Sequence, residues 1–369
     1  MSELYIGLMA GTSVDGIDAS LVDFSDGKIH LIAFDYLPFP DVVKSAIQKV
    51  STPNALISLK DYGMLDMQLG GLFANTVNTL LNKAGIPASA VKAIGSHGQT
   101  VYHLPDGNSP FSLQIGDPNI IAEQTGIKTI ADFRRRDLAV KGQGAPLVPA
   151  FHQAVFGGTG NPRCIVNVGG IANITVLPSN STKPVIGFDT GPGNTLMDQW
   201  IWQCKDESFD ANGAWARTGQ IQAELVAKWR EDAYFHAAPP KSTGKEYFSM
   251  PWLAQTTSLS AYRPEDIQAS LCALTAASIS EAIKQHAPDT KQVIICGGGT
   301  HNSYLLELLA QNLPCPVQSS EDFGIHPDHV EAMAFAWLAR QTLQKMPGNL
   351  KEVTGATKSV VLGGIYPAS

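Results

Sequence analysis

Gly187-Phe188-Asp189-Thr190-Gly191-Pro192-Gly193-Asn194 is the stretch best suited to chemistry: an apolar run stops at one Asp, and two glycines follow within three residues. A carboxylate at a strand end, beside a Gly-rich turn that opens a helix, can face a ligand whose phosphate rests on free backbone N–H groups. The plainer alternative is an ordinary strand-to-helix turn with Asp189 as its N-cap. Gly11-Thr12-Ser13-Val14-Asp15-Gly16 lies between two strand-like runs and carries two hydroxyls and an Asp-Gly pair. It is longer than a hairpin needs and rich in groups that hold phosphate oxygens, although a plain hairpin turn would also accommodate it. A third turn, Gly297-Gly298-Gly299-Thr300-His301-Asn302, follows the apolar run Gln292–Cys296.

Several look-alikes fail on one residue each. A dinucleotide fingerprint would need glycine where Asn302 stands, although Glu321 lies about 20 residues downstream of the turn as that motif requires. Asp322-Phe323-Gly324 spells the magnesium motif of protein kinases, but no His-Arg-Asp precedes it. Gly244-Lys245 is followed by Glu246, so there is no Walker A sequence. His326-Pro327-Asp328-His329 has ligand-like letters on a Pro-broken turn with no third ligand in view. The Gly11 loop is one residue too long for a nucleophile elbow.

The elements that must position these loops repeat. Strands are expected at 4–9, 17–24 and 29–37, helices at 42–50 and 56–83, and a strand at 91–95 that closes on Ser96-His97-Gly98-Gln99-Thr100. A hairpin at 103–113, a helix at 118–125 and a strand at 128–131 ending in Asp132-Phe133 follow. Three further strands at 164–168, 171–177 and 185–189 then begin a second round, with helices at 221–231 and 267–286. The strand 292–296, a helix reaching about 313, a strand at 316–320 and a last helix at 330–344 complete it. Each half thus offers three strands, a strand–Gly–helix unit and a strand ending in Asp-Phe. Two such halves would bring Gly turns together around a nucleotide phosphate chain.

The chain has 369 residues, enough for two domains, with 44% hydrophobic and 16% charged residues, the latter below the roughly 25% of typical domains. A net charge of −7 argues against nucleic acid or anionic membrane as partner. Five widely spaced cysteines without a Cys-x-x-Cys pair suit reduced thiols in a cytoplasmic protein. The start of the chain lacks the basic and apolar regions of an export signal, and no run of about 18 apolar residues occurs.

The stretches Gly7-Leu8-Met9-Ala10-Gly11-Thr12-Ser13-Val14-Asp15-Gly16-Ile17-Asp18, Gly95-Ser96-His97-Gly98-Gln99-Thr100, Asp132-Phe133-Arg134-Arg135-Arg136-Asp137, Gly142-Gln143-Gly144-Ala145-Pro146-Leu147-Val148-Pro149, 187–194 and 296–299 together resemble the anhydro-N-acetylmuramic acid kinases. The resemblance runs from Ile6 to Pro367 with the motifs in order; Ala10, where the family commonly has Ser, is a mild departure that leaves the backbone role of the loop untouched. It implies an α/β fold of two ribonuclease-H-like domains of the actin/hexokinase/hsp70 type with an ATP cleft between them. The expected domains are 1–137, with about 345–369 able to pack on it, and 138–344, hinged near 132–144. It implies that 1,6-anhydro-N-acetylmuramic acid, ATP and water give N-acetylmuramic acid 6-phosphate and ADP in peptidoglycan recycling. Asp189 is then the catalytic base. Gly11, Thr12, Ser13, Val14, Asp15, Gly16, Ile17 and Asp18 cradle the phosphates, with Asp15 or Asp18 near Mg²⁺, directly or through water. Asn167, Gly169 and Gly170 form the opposing wall, and Gly297, Gly298 and Gly299 the adenosine side. Ser96, His97, Gln99, Arg136 and Glu331 line the sugar site, and a homodimer is expected. Simpler readings remain: His97 as a satisfied core histidine, Arg134–Arg136 as a solvated basic turn of which at most two side chains reach inward, and Glu331 as a favourable charge in a helix's first turn.

Overall fold

The computed structural model describes residues 2–52, 55–180, 183–256 and 258–369. The chain forms two compact units, Met1–Phe151 with His329–Ser369, and His152–Asp328. In the first, β1 (Leu4–Ala10), β2 (Gly16–Asp23) and β3 (His30–Pro38) form an antiparallel meander. β4 (Val91–Leu104) runs parallel to β1, β5 (Phe111–Ile115) pairs antiparallel with β4, and β6 (Thr129–Ala131) lies parallel to β4. A terminal strand, Gly364–Tyr366, completes the sheet beside β6. In the second unit, β7 (Arg163–Val168), β8 (Ile171–Leu177) and β9 (Ile186–Pro192) form another meander. β10 (Gln292–Cys296) lies parallel to β7, and β11 (Val317–Ser319) parallel to β10.

The two sheets therefore repeat one order, β3-β2-β1-β4-β6 and β9-β8-β7-β10-β11, with matching strand senses. That order, three antiparallel strands followed by two parallel ones, is ribonuclease-H-like, and the duplication read from the sequence is present. Near-continuous apolar strands such as β1 are buried on both faces, as strands sandwiched between helices must be. Helix Leu59–Ala84 starts at Ser58, whose hydroxyl accepts the Asp61 N–H at 3.0 Å, and ends at Gly85 with φ +66°.

Helix Val330–Leu343 is buried on nearly every side and lies on the first sheet. Its backbone approaches so closely that a Cβ on Gly7 would overlap the Ala332 carbonyl oxygen, and one on Gly95 that of Phe335. The expectation had grouped this helix with the second half, since an apolar helix does not reveal in sequence which sheet will receive it. The segment 132–144, expected as a hinge, is instead knit into the first unit. Asp137 is fully buried and accepts from Asn349 Nδ2 at 2.6 Å, Thr354 Oγ1 at 2.8 Å and Gly144 N at 2.8 Å. The chain passes between units at 151/152 and 328/329.

β4 also differs from expectation. Ser96–Thr100 does not follow the strand but lies inside it, where Gly98 adopts φ +74° and the register against β1 shifts between Leu8 and Ala10. A bulge of this kind re-aims side chains without ending the strand.

Candidate active site

Asp189 is half-buried near the end of β9. It stands opposite Asn173 of β8, which stands opposite Asn167 of β7, which stands opposite Cys296 of β10. Paired residues share a sheet face, so the carboxylate and two amides form a polar row across an otherwise apolar sheet. The segment after the second unit's Pro239-Pro240 covers the free edge of β9. Asp189 N donates to Lys241 O at 3.2 Å, Thr243 N donates to Asp189 Oδ2 at 3.0 Å, and Tyr234 Oη donates to Asp189 O at 2.8 Å. Lys241 Nζ is itself fixed by the Tyr234 and Phe235 carbonyls at 2.9 and 3.3 Å. Burial pushes the Asp189 pKa up to about 6, partly offset by the Thr243 N–H and the Lys241 charge. A carboxyl in that range gains and loses a proton near neutral pH, which an N-cap has no need to do.

The Gly turns of this unit meet beside that row. Gly193 N and Thr195 N donate to Gly170 O at 2.9 and 3.1 Å, and Asn194 N donates to Gly169 O at 2.8 Å. Gly297 has φ +79°, and a Cβ there would overlap Asn167 Oδ1; one on Gly299 would overlap Val168. Asn167, Gly169, Gly170, Gly297, Gly298 and Gly299 are thus one neighbourhood, with Gly298 facing Asn194 Nδ2. Asp198, in the first turn of helix Thr195–Lys205, has its pKa pushed up to about 7 by burial against the pull of Lys245.

In the first unit, the Gly11 loop is a tight turn: Val14 N donates to Gly11 O at 3.2 Å, and Val14 has φ +57°. Thr12, Ser13 and Asp15 are exposed, and the Ser13 hydroxyl donates to Asp15 Oδ1. Gly16 packs against Leu37 O and the Tyr36 ring, where a side chain would not fit, and Ile17 is core. Burial and the charges of Asp15 and Asp18 raise the Tyr36 pKa, so the two carboxylates share one neighbourhood. Among the described residues no group of three metal-ligating side chains occurs. Two carboxylates on a Gly-rich, hydroxyl-bearing loop are a donor set that fits Mg²⁺, which usually keeps waters and substrate phosphates as its other ligands.

Ser96, His97 and Gln99 are all buried on β4. Gln99 Nε2 donates to Gly11 O at 3.2 Å, tying the loop to this strand. Arg134 Nε and Nη2 donate to His97 Nε2 at 3.0 and 2.8 Å, so the ring proton sits on Nδ1, which donates to Gly98 O at 2.7 Å. Burial and the Arg134 charge hold the His97 pKa well below its usual value, leaving it neutral. Arg134 is pulled down to about 10 by burial and supported by the charges of Glu331 and Asp137. His97, Arg134 and Glu331 therefore form one cluster. Arg136 stands outside it, exposed and without a hydrogen bond or ion pair among the described residues. In helix Phe133–Ala139, Arg134 is four residues before apolar Leu138 and shares its face, a spacing that would have marked it had the helix been expected. Ser96 and His97 border a polar cavity of about 220 Å³ that Asp66, Gln114, Asp132 and Arg135 also line. A larger cavity of about 690 Å³ near Trp200, Met250 and Tyr262 has no charged lining residue and is unsuited to phosphate.

Fold and site together define a duplicated ribonuclease-H-like α/β protein with a carboxyl raised toward neutrality, Asp189, beside a cluster of Gly turns. The anhydro-N-acetylmuramic acid kinase family profile matches residues 3–368, and the chain belongs to that family. Saccharophagus degradans anhydro-N-acetylmuramic acid kinase is 50% identical over 370 residues, covering 98% of both chains. The Aliivibrio fischeri enzyme of that name is 47% identical over 369 residues, covering 100% of both. Among solved structures, the activator of the 2-hydroxyisocaproyl-CoA dehydratase from Clostridium difficile with bound ADPNP overlays with a TM-score of 0.47 at 11% identity, covering 94% of this chain and 98% of that one.

Proposed function

We propose that this protein phosphorylates 1,6-anhydro-N-acetylmuramic acid at O6 while water opens the anhydro bridge, consuming ATP and releasing N-acetylmuramic acid 6-phosphate and ADP. The observation that carries the reading is the carboxyl of Asp189, held near a strand end with a pKa of about 6 in a family member matched from residue 3 to 368. Asp189 takes a proton from water as the water oxygen bonds to C1 and the C1–O6 bond breaks. O6 leaves toward the terminal phosphorus of ATP, the O6–P bond forms, and ADP departs. No acid is then needed to protonate O6, because phosphorus captures it.

Gly11–Asp18 hold the phosphates through N–H groups and the hydroxyls of Thr12 and Ser13, and Gln99 keeps the loop in place. Asp15 and Asp18 would hold Mg²⁺, directly or through water, and the ion supplies neutralisation of phosphate charge when bound. Asn167, Gly169 and Gly170 act on the phosphates from their own sheet, and Gly297–Gly299 beside the adenosine. On the sugar side, Ser96, Gln99 and Glu331 contact hydroxyls and the amide, and neutral His97 lines the site. Arg134 holds His97 in one tautomer, and solvent-facing Arg136 meets the lactyl carboxylate. The reaction would belong to peptidoglycan recycling in the cytoplasm, in keeping with five cysteines that form no disulfide among the described residues. A homodimer, testable by light scattering, belongs to the same proposal. Incubating pure protein with ATP, Mg²⁺ and the anhydro sugar and identifying the product by mass tests it; no 6-phosphate product would overturn it.

A further inference from the structure

Lys245 is two residues beyond Thr243, the residue whose N–H holds the Asp189 carboxylate. It is half-buried, and among the described residues its ammonium makes no hydrogen bond and no ion pair within 4.0 Å. A lysine can bury its stem along the protein while its charged head stays open to an external anion. Its stem lies across Gly170 so closely that an added Cβ would overlap Cε and stand 3.2 Å from Nζ, and all three nearest atoms to that Cβ belong to Lys245. The absence of a side chain at Gly170 therefore makes room for this lysine. The charge that faces it, Asp198, lies beyond ion-pair distance and is itself held up near neutrality by burial. What remains at this place is a cation lying over a backbone turn with no hydrogen bond and no close ion pair among the described residues.

We infer that Lys245 is a phosphate-binding residue of the nucleotide site, reaching over the Gly169–Gly170 turn to oxygens of the ATP phosphate chain. The inference rests on the nucleotide reading of that turn given above. Lysine suits the task as a compact charge on a flexible stem. Because Thr243 holds the base and Lys245 follows it by two residues, one short segment would fix both the proton acceptor and the phosphate that O6 attacks. Gly244-Lys245 is not a Walker A motif, since Glu246 follows it; the lysine instead reaches over a Gly turn distant in sequence, Gly169–Gly170.

The test is a double-mutant cycle on the full chain, read by calorimetric titration with ATP·Mg²⁺. Lys245→Ala is expected to weaken ATP binding on the order of 10- to 100-fold, the worth of one charged hydrogen bond to phosphate, while melting of the unliganded protein is preserved. Lys245→Arg is expected to recover part of the loss. Gly170→Ala, at a position without positive φ, displaces the lysine and is expected to copy Lys245→Ala. Added to Lys245→Ala it should cost nothing more. Binding by Lys245→Ala within twofold of a wild type that does bind ATP would overturn the inference and leave the functional reading standing. Independent, additive losses at the two positions would also overturn it. A wild type that does not bind ATP would remove both.

Discussion

At the residue scale the account turns on how one carboxyl is tuned. Burial raises Asp189 to about 6, and Lys241 and the Thr243 N–H pull it back. Asp189→Asn should lower kcat roughly 10²- to 10⁴-fold while ATP still binds, as checked by steady-state rates beside titration. The pH profile of kcat/KM should rise with an apparent pKa near 6. Removing a neighbouring positive charge disfavours the ionised form, so Lys241→Met should move that rise to higher pH; an unmoved limb would refute the coupling. Asp198 carries a stability consequence. Its folded pKa of about 7 lies above the ordinary value of 3.8, so the native state binds the proton more tightly and stability falls as pH rises through 7. Asp198→Asn should therefore melt higher than wild type at pH 8, with the difference closing below pH 4. Identical melting curves at both extremes would contradict the assignment.

At the element scale, much of the architecture was legible and the packing partners were not. The Gly297–Gly299 turn and the meander before β9 could be read locally, since glycine runs and alternating apolar strands carry their own signal. Three features depended on contacts distant in sequence. Ser96–Thr100 continues β4 because Gly98 permits a bulge there, which no neighbour in sequence announces. Helix Val330–Leu343 joins the first sheet because Gly7 and Gly95 leave room for its backbone. Lys241, Thr243 and Lys245 sit in a segment of no regular structure, and their roles follow from the free edge of β9 beside them. Arg134 belongs with them: the sequence reading chose Arg136, and only the helix Phe133–Ala139 separates the two by face. The close approach makes a prediction: Gly95→Ala should destabilise the protein by about 3 kcal/mol or more, because backbone and not a flexible side chain blocks the methyl group. Denaturant unfolding reads this, and a change under about 0.5 kcal/mol would contradict the packing.

At the scale of the whole molecule, duplication puts two loops of different sequence at equivalent places in the two units. Each unit places a turn after its first strand, Gly11–Gly16 after β1 and Gly169–Gly170 after β7, and each places a further motif on its fourth strand or just after it. Binding to the native state raises melting temperature by mass action, so ATP with Mg²⁺ should stabilise the chain and NAD should not. The reverse pattern would favour a dinucleotide enzyme. The central claim is that Asp189 drives water onto C1 while phosphorus takes O6. The most direct measurement runs the reaction with ATP, Mg²⁺ and 1,6-anhydro-N-acetylmuramic acid in ¹⁸O-water, quenched before the free anomeric hydroxyl exchanges. The account predicts one heavy oxygen at C1, none in the sugar phosphate group, and neither product nor label incorporation at a comparable rate with Asp189→Asn. Heavy oxygen in the phosphate, or unchanged turnover by the Asn variant, would contradict it.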